Sequence, residues 1–370
     1  MNGDVSSAGR SRARVWKRRF KQLMVGLVAV ALIVVAGIAL LWRLAADRLN
    51  AESELVETPG GPMEVAALGR PEDPPILVLH GSPGGYDQLL PLARTLADGG
   101  YRVFAVSRPG YLRTPQGLGT TPPQQADALA TLLHRLDVDP VVVVGVSGGG
   151  PSTLQLALRH PDRVRALVLI CAVTGRPLME PQDPAQVTDF GLAWDLGALA
   201  ARWSPALALR LLGVEDAEER RRLLQDTTTR ESVEYLFQSL GFSSRRRGYK
   251  SDLQSFAASE LGDTYSQLEL PILLLHGSED ESVLLGHSQR VANQAPQADL
   301  RVLEGAGHAF FVLRRDWLDA QIFDFLDGLR DQLSGDVQRT DQRALGGSET
   351  HSISSTSDSG EPASRSASVK

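Results

Sequence analysis

Apolar and polar positions alternate in blocks along this chain. Between residues 52 and 334, short runs rich in Val, Ile and Leu recur as PPILVLH, YRVFAVS, PVVVVGVS, RVRALVLICAV, PILLLHG and ADLRVLEG. Runs this short, apolar on consecutive positions, predict strands buried on both faces, because β-branched side chains pack well on a pleated surface covered from either side. Helical patterns separate them. Strands alternating with crossover helices predict an α/β domain with a mostly parallel central sheet and helices on both faces.

Two stretches break the rhythm. From about 174 to 268 no strand of comparable quality occurs, and FGLAWDLGALAARW and DAEERRRLLQDTTTRESVEYLFQSL predict helices. An insertion of this size after a core strand predicts a helical lid over the carboxyl ends of the sheet, where α/β folds bind ligands. Its aromatics Phe190, Trp194, Trp203, Tyr235, Phe237 and Phe242 are expected mainly to pack within the lid.

The second stretch is LMVGLVAVALIVVAGIALLW, residues 23–42, which carries no charge. At 1.5 Å per residue it matches a hydrocarbon thickness of about 30 Å and predicts one transmembrane helix. The following RLAADRLNAE offers no convincing small-x-small cleavage site, so the run reads as an uncleaved signal-anchor. Arg10, Arg12, Arg14, Lys17, Arg18, Arg19 and Lys21 precede it, against Arg43 and Arg48 after it. The positive-inside rule therefore places residues 1–22 in the cytoplasm and the domain that follows outside. Residues 335–370, rich in Ser, Thr, Gly and charge, predict a disordered tail.

Composition narrows the picture further. With 370 residues, 42% of them hydrophobic, the chain can bury a large core. A net charge of -6 gives no reason to expect a nucleic-acid partner. Cys171 is the single cysteine, which excludes an internal disulfide and a thiolate-rich metal site. Its setting in ALVLICAV predicts a small buried core residue.

The candidate chemistry lies where strands end. In PVVVVGVSGGGPS a buried strand runs into Gly145-Val146-Ser147-Gly148-Gly149, the G-x-S-x-G pattern of a tight strand-to-helix turn that exposes a serine. The helix PSTLQLALRH then aims its amino end, with free N–H groups, at Ser147. A serine hydroxyl needs a base, and the base needs an orienting carboxylate. Asp280, in the loop after PILLLHG, and His308, in the loop after LRVLEG, supply both in the order serine, acid, histidine; Glu279 is the alternative acid. Acyl transfer also needs two backbone donors for the developing oxyanion. The loop HGSPGG can present the Ser82 N–H, and Gly148 can present the other. Read as a phosphate cradle, HGSPGG lacks both the G-K-[ST] ending and a G-x-G-x-x-G pattern.

Taken in order, HGSPGG, SRPGYLRTP, GVSGGGPS, GSEDESV and GAGHAFF resemble the α/β-hydrolase superfamily over residues of about 52 to 334. The similarity is greatest to lid-bearing serine hydrolases of the esterase and prolyl-aminopeptidase-like kind. Serine at the elbow separates the chain from dehalogenase and epoxide-hydrolase relatives, which carry aspartate there. Leu112 and Thr114 depart from the glycine and serine usual in such relatives. The resemblance implies an α/β-hydrolase fold with a lid and hydrolysis of an ester, amide, thioester or peracid, with no cofactor and no metal. The expectation is a membrane-anchored serine esterase that cleaves a small or medium ester through an acyl-enzyme on Ser147. An aminopeptidase of the same fold would need a lid carboxylate for the substrate ammonium; Glu215, Glu218 and Glu219 read instead as a solvated face beside Arg220 to Arg222. A noncatalytic ligand-binding member of the fold is the other alternative.

Overall fold

The computed structural model describes residues 51–138, 140–175, 204–239, 245–258 and 265–346, with Ala201 and most positions of an amino-terminal helix between 16 and 43. The chain divides into two compact units, Met1–Asp319 and Ala320–Lys370. The first holds one sheet of eight strands: β1 (Glu54–Thr58), β2 (Gly61–Leu68), β3 (Pro75–Leu79), β4 (Arg102–Val106), β5 (Val141–Val146), β6 (Val164–Ile170), β7 (Ile272–Gly277) and β8 (Ala298–Leu303). Their spatial order is β1-β2-β4-β3-β5-β6-β7-β8. The first two pairings, β1 with β2 and β2 with β4, are antiparallel. All the others are parallel.

The six predicted strands are β3 to β8. Every residue of β5 and of β7 is buried, as continuous apolar runs require at the centre of a sheet covered on both faces. The helices α1 (Leu90–Asp98), α2 (Pro122–Leu136) and α3 (Gly150–Arg159) form the crossovers. The start of α2 is written locally: Thr121 and Gln124 form a capping box, and Pro122 and Pro123 open the first turn. Helices α2 and α3 pack on one another over a core that includes Leu77, Leu129, Leu133, Val143, Leu154 and Leu167.

The hairpin β1–β2 was not legible in the pattern. Most of β1 is exposed, and the acidic Glu64 interrupts the apolar run of β2. Glu64 is nevertheless buried, because Arg113 Nε, 49 residues away, donates to its Oε1 at 2.7 Å and Ser107 Oγ donates to its Oε2 at 2.9 Å. A charge placed inside by a distant partner looks like a surface residue in sequence.

The described part of the lid is helical: α4 (Pro205–Leu211), α5 (Ala217–Gln225), α6 (Thr227–Ser239) and α7 (Arg246–Ala258). Tyr235 and Phe237 are buried, but Tyr235 faces out of the lid: its ring lies under Arg94, its hydroxyl accepts from Arg94 Nη2 at 2.9 Å, and α6 packs on α1. Phe190, Trp194, Trp203 and Phe242 lie outside the described residues. Two buried ion pairs fasten the end of the lid to the sheet domain. Arg245 Nη1 and Nη2 each donate to a different oxygen of Asp87 at 2.8 Å, and both side chains are almost wholly inaccessible. Asp252 of α7 meets Arg108 in the same bidentate way, at 2.9 and 2.6 Å. Between the two, Gly248 N–H donates to Gly110 O at 2.9 Å. Its backbone lies so close to the Tyr111 ring that a Cβ would stand 2.7 Å from Tyr111 Cγ, so only glycine fits.

Beyond β7 come α8 (Gly286–Ala292) and, after β8, α9 (Arg315–Gly346). Helix α9 runs through residues 335–346, where composition predicts disorder. The segment there, GDVQRTDQRAL, includes the helix formers Gln338, Arg339, Gln342, Arg343, Ala344 and Leu345, and the Ser-rich composition starts only after it. Residues 347–370 lie outside the described ones. At the other end, the helix Arg18–Gly37 is long and apolar enough to cross a membrane, with a mean hydropathy of 2.2 and none of it buried. It begins among the basic residues that flank the predicted span.

Candidate active site

Four strands of the parallel sheet deliver their following loops to one edge, because parallel strands all end on the same side. Ser147 follows β5 directly, Ser82 lies three residues beyond β3, Asp280 three beyond β7 and His308 five beyond β8. The elbow at Ser147 is sharp: its φ is 48°, a left-handed conformation rarely adopted by a residue with a side chain. Its neighbours must be small. A Cβ on Gly149 would stand 2.7 Å from the carbonyl oxygens of both Leu79 and His80, so the turn can press against the end of β3 only with glycine there.

The three residues singled out in the sequence meet. Ser147 Oγ lies 3.2 Å from His308 Nε2, and His308 Nδ1 lies 2.7 Å from Asp280 Oδ2. An ionised carboxylate can only accept, so Nδ1 carries the ring proton and Nε2 is free to accept from the serine hydroxyl. The other carboxylate oxygen, Oδ1, accepts from the backbone N–H of Ser282 at 2.9 Å and of Val283 at 2.8 Å. His276 completes the cradle. Its Nε2–H donates to Val283 O at 2.8 Å, its Nδ1 accepts from Ser288 Oγ at 2.7 Å, and Nε2 stands 3.4 Å from Asp280 Oδ2. Glu279, the alternative acid, is exposed.

These contacts set the protonation states. Burial alone would raise the Asp280 pKa, but hydrogen bonds from His276, His308 and Val283 outweigh it and hold the carboxyl below its ordinary value. For His308, burial lowers the pKa, while Cys171 and Asp280 beside it raise it above the ordinary 6.5. Cys171 is wholly buried, as expected, and burial pushes its own pKa up. The sulfur of Cys171 therefore favours keeping its proton, and the carboxylate of Asp280 stands against Nδ1 of the imidazole. Donor atoms of Cys171, Asp280 and His308 lie within 4.8 Å of one another. They do not make a ready metal site: His308 Nδ1 and both Asp280 oxygens are already engaged with partners, and the thiol retains its proton.

The loop His80–Gly85 runs past the elbow. A Cβ on Gly81 would stand 3.1 Å from Ser147 Cβ. Gly81 N–H donates to Gln88 Oε1 at 2.7 Å, and His80, kept neutral by burial and by Arg108, accepts from Arg108 N–H at 3.0 Å. The side chain of Ser82 lies against Gly148, so the two residues expected to present N–H donors are neighbours. Leu112, which departs from the glycine usual in relatives, has a φ of 48° and takes up the left-handed conformation that glycine would adopt freely.

Sequence reasoning missed Gln88, Arg108, Asp252, His276 and Phe256. His276 is a polar residue at the end of the apolar strand PILLLHG, which was the available signal, whereas Arg108 lies in SRPGY, two residues beyond β4. Asp252 carried none: it reads as one more charge on a polar helix. A cavity of about 740 Å³ lies between α5, α6 and residues 304–319, with His308 on its wall together with Glu219, Arg222, Asp226 and Arg314.

The chain is similar in sequence and fold to known proteins. The family model described as alpha/beta hydrolase fold matches residues 74–314. Among curated relatives, the uncharacterized hydrolase YcgS of Bacillus subtilis (strain 168) is 27% identical over 275 residues, 70% of this chain and 92% of its own length. A pimeloyl-(acyl-carrier protein) methyl ester esterase of Aromatoleum aromaticum is 29% identical over 250 residues, covering 65% of this chain and 92% of its own. Among solved structures, an alpha/beta hydrolase fold protein from Nakamurella multipartita superposes with a TM-score of 0.66 at 31% identity, over 75% of this chain and 98% of that one.

Proposed function

Because the chain belongs to the alpha/beta hydrolase fold family, we propose that it is a serine hydrolase that cleaves a small or medium carboxylic ester through an acyl-enzyme on Ser147. One observation carries the reading: the continuous chain from Ser147 Oγ to His308 Nε2 at 3.2 Å and from His308 Nδ1 to Asp280 Oδ2 at 2.7 Å. In the first half-reaction His308 takes the hydroxyl proton as Ser147 Oγ attacks the ester carbonyl, then passes it to the departing alkoxide. In the second, His308 takes a proton from water as it attacks the acyl carbon, then returns that proton to the departing Ser147 Oγ, which releases the acid and regenerates the serine. Asp280 keeps the ring proton on Nδ1 and stabilises the imidazolium that forms in each half. The backbone N–H groups of Ser82 and Gly148 receive the negative charge that develops on the carbonyl oxygen.

Between ester and amide cleavage the lid carboxylates divide: Glu218 pairs with Arg221 at 2.8 Å on an exposed helix face, whereas Glu219 lines the cavity that His308 also lines. Turnover of a p-nitrophenyl ester alongside a proline anilide distinguishes the two, and faster anilide cleavage would reverse the assignment. A fluorophosphonate probe should label the wild-type protein and leave Ser147→Ala unlabelled. A folded wild type that takes no label would point to a noncatalytic binder.

The same reading makes the amino-terminal helix a membrane anchor. It rests on the uncharged run 23–42 and on the Lys and Arg residues concentrated before it. With residues 1–22 in the cytoplasm, the hydrolase domain faces outward. Protease added to intact cells should then digest the domain; full protection would reverse the orientation.

A further inference from the structure

We propose that Asp252, on lid helix α7, is a positioning residue for the oxyanion donor Ser82, so that the lid is a working part of the site rather than only its cover. The proposal rests on the reading of Ser147 as nucleophile and of Ser82 N–H as a donor, and it goes beyond that reading by naming what holds the donor in place.

The argument starts from Arg108, which is almost wholly buried. Its guanidinium reaches three consecutive residues of the loop: Nε donates to His80 O at 3.1 Å, and Nη2 donates to Gly81 O at 3.4 Å and to Ser82 Oγ at 3.1 Å. A guanidinium so deeply buried needs a counter-charge. Asp252 supplies it through the bidentate pair, 144 residues away in sequence. Asp252 Oδ2 also accepts from the hydroxyls of Tyr111 and Ser82. Ser82 Oγ is therefore gripped from two sides, accepting from Arg108 and donating to Asp252. With Cβ fixed in this way, the rotation of the Ser82 peptide is limited, and so is the direction of its N–H.

The same face of α7 covers the other donor. Phe256, one turn beyond Asp252, places its ring tip 3.1 Å from where a Cβ on Gly148 would stand. Helix α7 thus approaches both oxyanion residues, one through a charge and one through an apolar ring edge.

Three variants test the idea in the full-length protein: Asp252→Asn, Ser82→Ala and the double variant, assayed on p-nitrophenyl butyrate. Loss of one oxyanion donor typically lowers kcat by about 10²–10³-fold. Asp252→Asn is expected to lower kcat by about 10²-fold with KM within about 3-fold of wild type. Ser82→Ala keeps the backbone N–H and the Arg108–Asp252 pair but removes the grip, and is expected to lower kcat by about 10-fold with an unchanged unfolding midpoint. Both act on one donor, so the double variant should lose no more than Asp252→Asn alone; losses that multiply would overturn the proposal. So would kcat within about 3-fold of wild type in either folded single variant. If Asp252→Asn fails to fold, Ser82→Ala decides by itself on the same criterion. A wild type that neither labels at Ser147 nor turns over the ester removes the functional reading and this inference together, whereas an active wild type with undiminished variants removes this inference alone.

Discussion

The sheet and the end of the lid are held in place by opposite kinds of force. In β5 and β7 every position is buried, and the side chains that face the core are apolar apart from His276 near the end of β7. Helix α7 carries polar residues over much of its length, yet it is fastened through Asp252 to Arg108, and the residue just before it, Arg245, is fastened to Asp87. Hydrophobic burial is strong and non-directional, so it assembles strands without dictating the orientation of any one side chain. A bidentate buried ion pair contributes little net stability but permits one geometry, and losing a single partner is costly. The difference teaches that stability comes from the sheet and alignment from the lid.

Three results would break or sharpen that contrast. The largest effect is expected at the sheet edge: His308→Ala should lower kcat on an ester by at least about 10⁴-fold while leaving the urea unfolding midpoint close to wild type. A large loss of stability there would mean that the histidine loop holds the fold. Next, Arg245→Met strands the Asp87 charge and should destabilise the protein by about 3–5 kcal/mol in urea unfolding, whereas Asp87→Leu with Arg245→Met should restore most of it. A double variant as unstable as the single would show that the pair is a net source of stability after all.

The smallest effect concerns pH. Burial lowers the His308 pKa, but Cys171 and Asp280 beside it outweigh that effect, so the protonated ring persists above the ordinary value of 6.5. Only the neutral ring can take the serine proton, and kcat/KM should therefore rise with pH along a limb whose midpoint lies above 6.5. The sign for stability runs the other way: the imidazolium–Asp280 attraction is fully present below 6.5 and is lost as pH rises through the raised pKa. Asp280→Asn should move the kinetic limb down towards 6.5, measured as the midpoint of the pH profile. A limb unmoved by that change would assign the raised pKa to another neighbour.

What the sequence determined by itself was everything that depends on neighbours along the chain. Continuous apolar runs marked β3 to β8, the glycines around Ser147 marked the elbow, and the loops after β7 and β8 marked Asp280 and His308, because a parallel sheet brings strand ends to one side whatever their separation. The hairpin β1–β2, the fastening of the lid and the company of Ser82 were decided only in three dimensions. Glu64, Arg108, Asp252 and Arg245 each look like solvated charges in sequence. Their burial is set by a partner 49 to 158 residues away, and a charge can leave water only where the folded chain delivers its counter-charge.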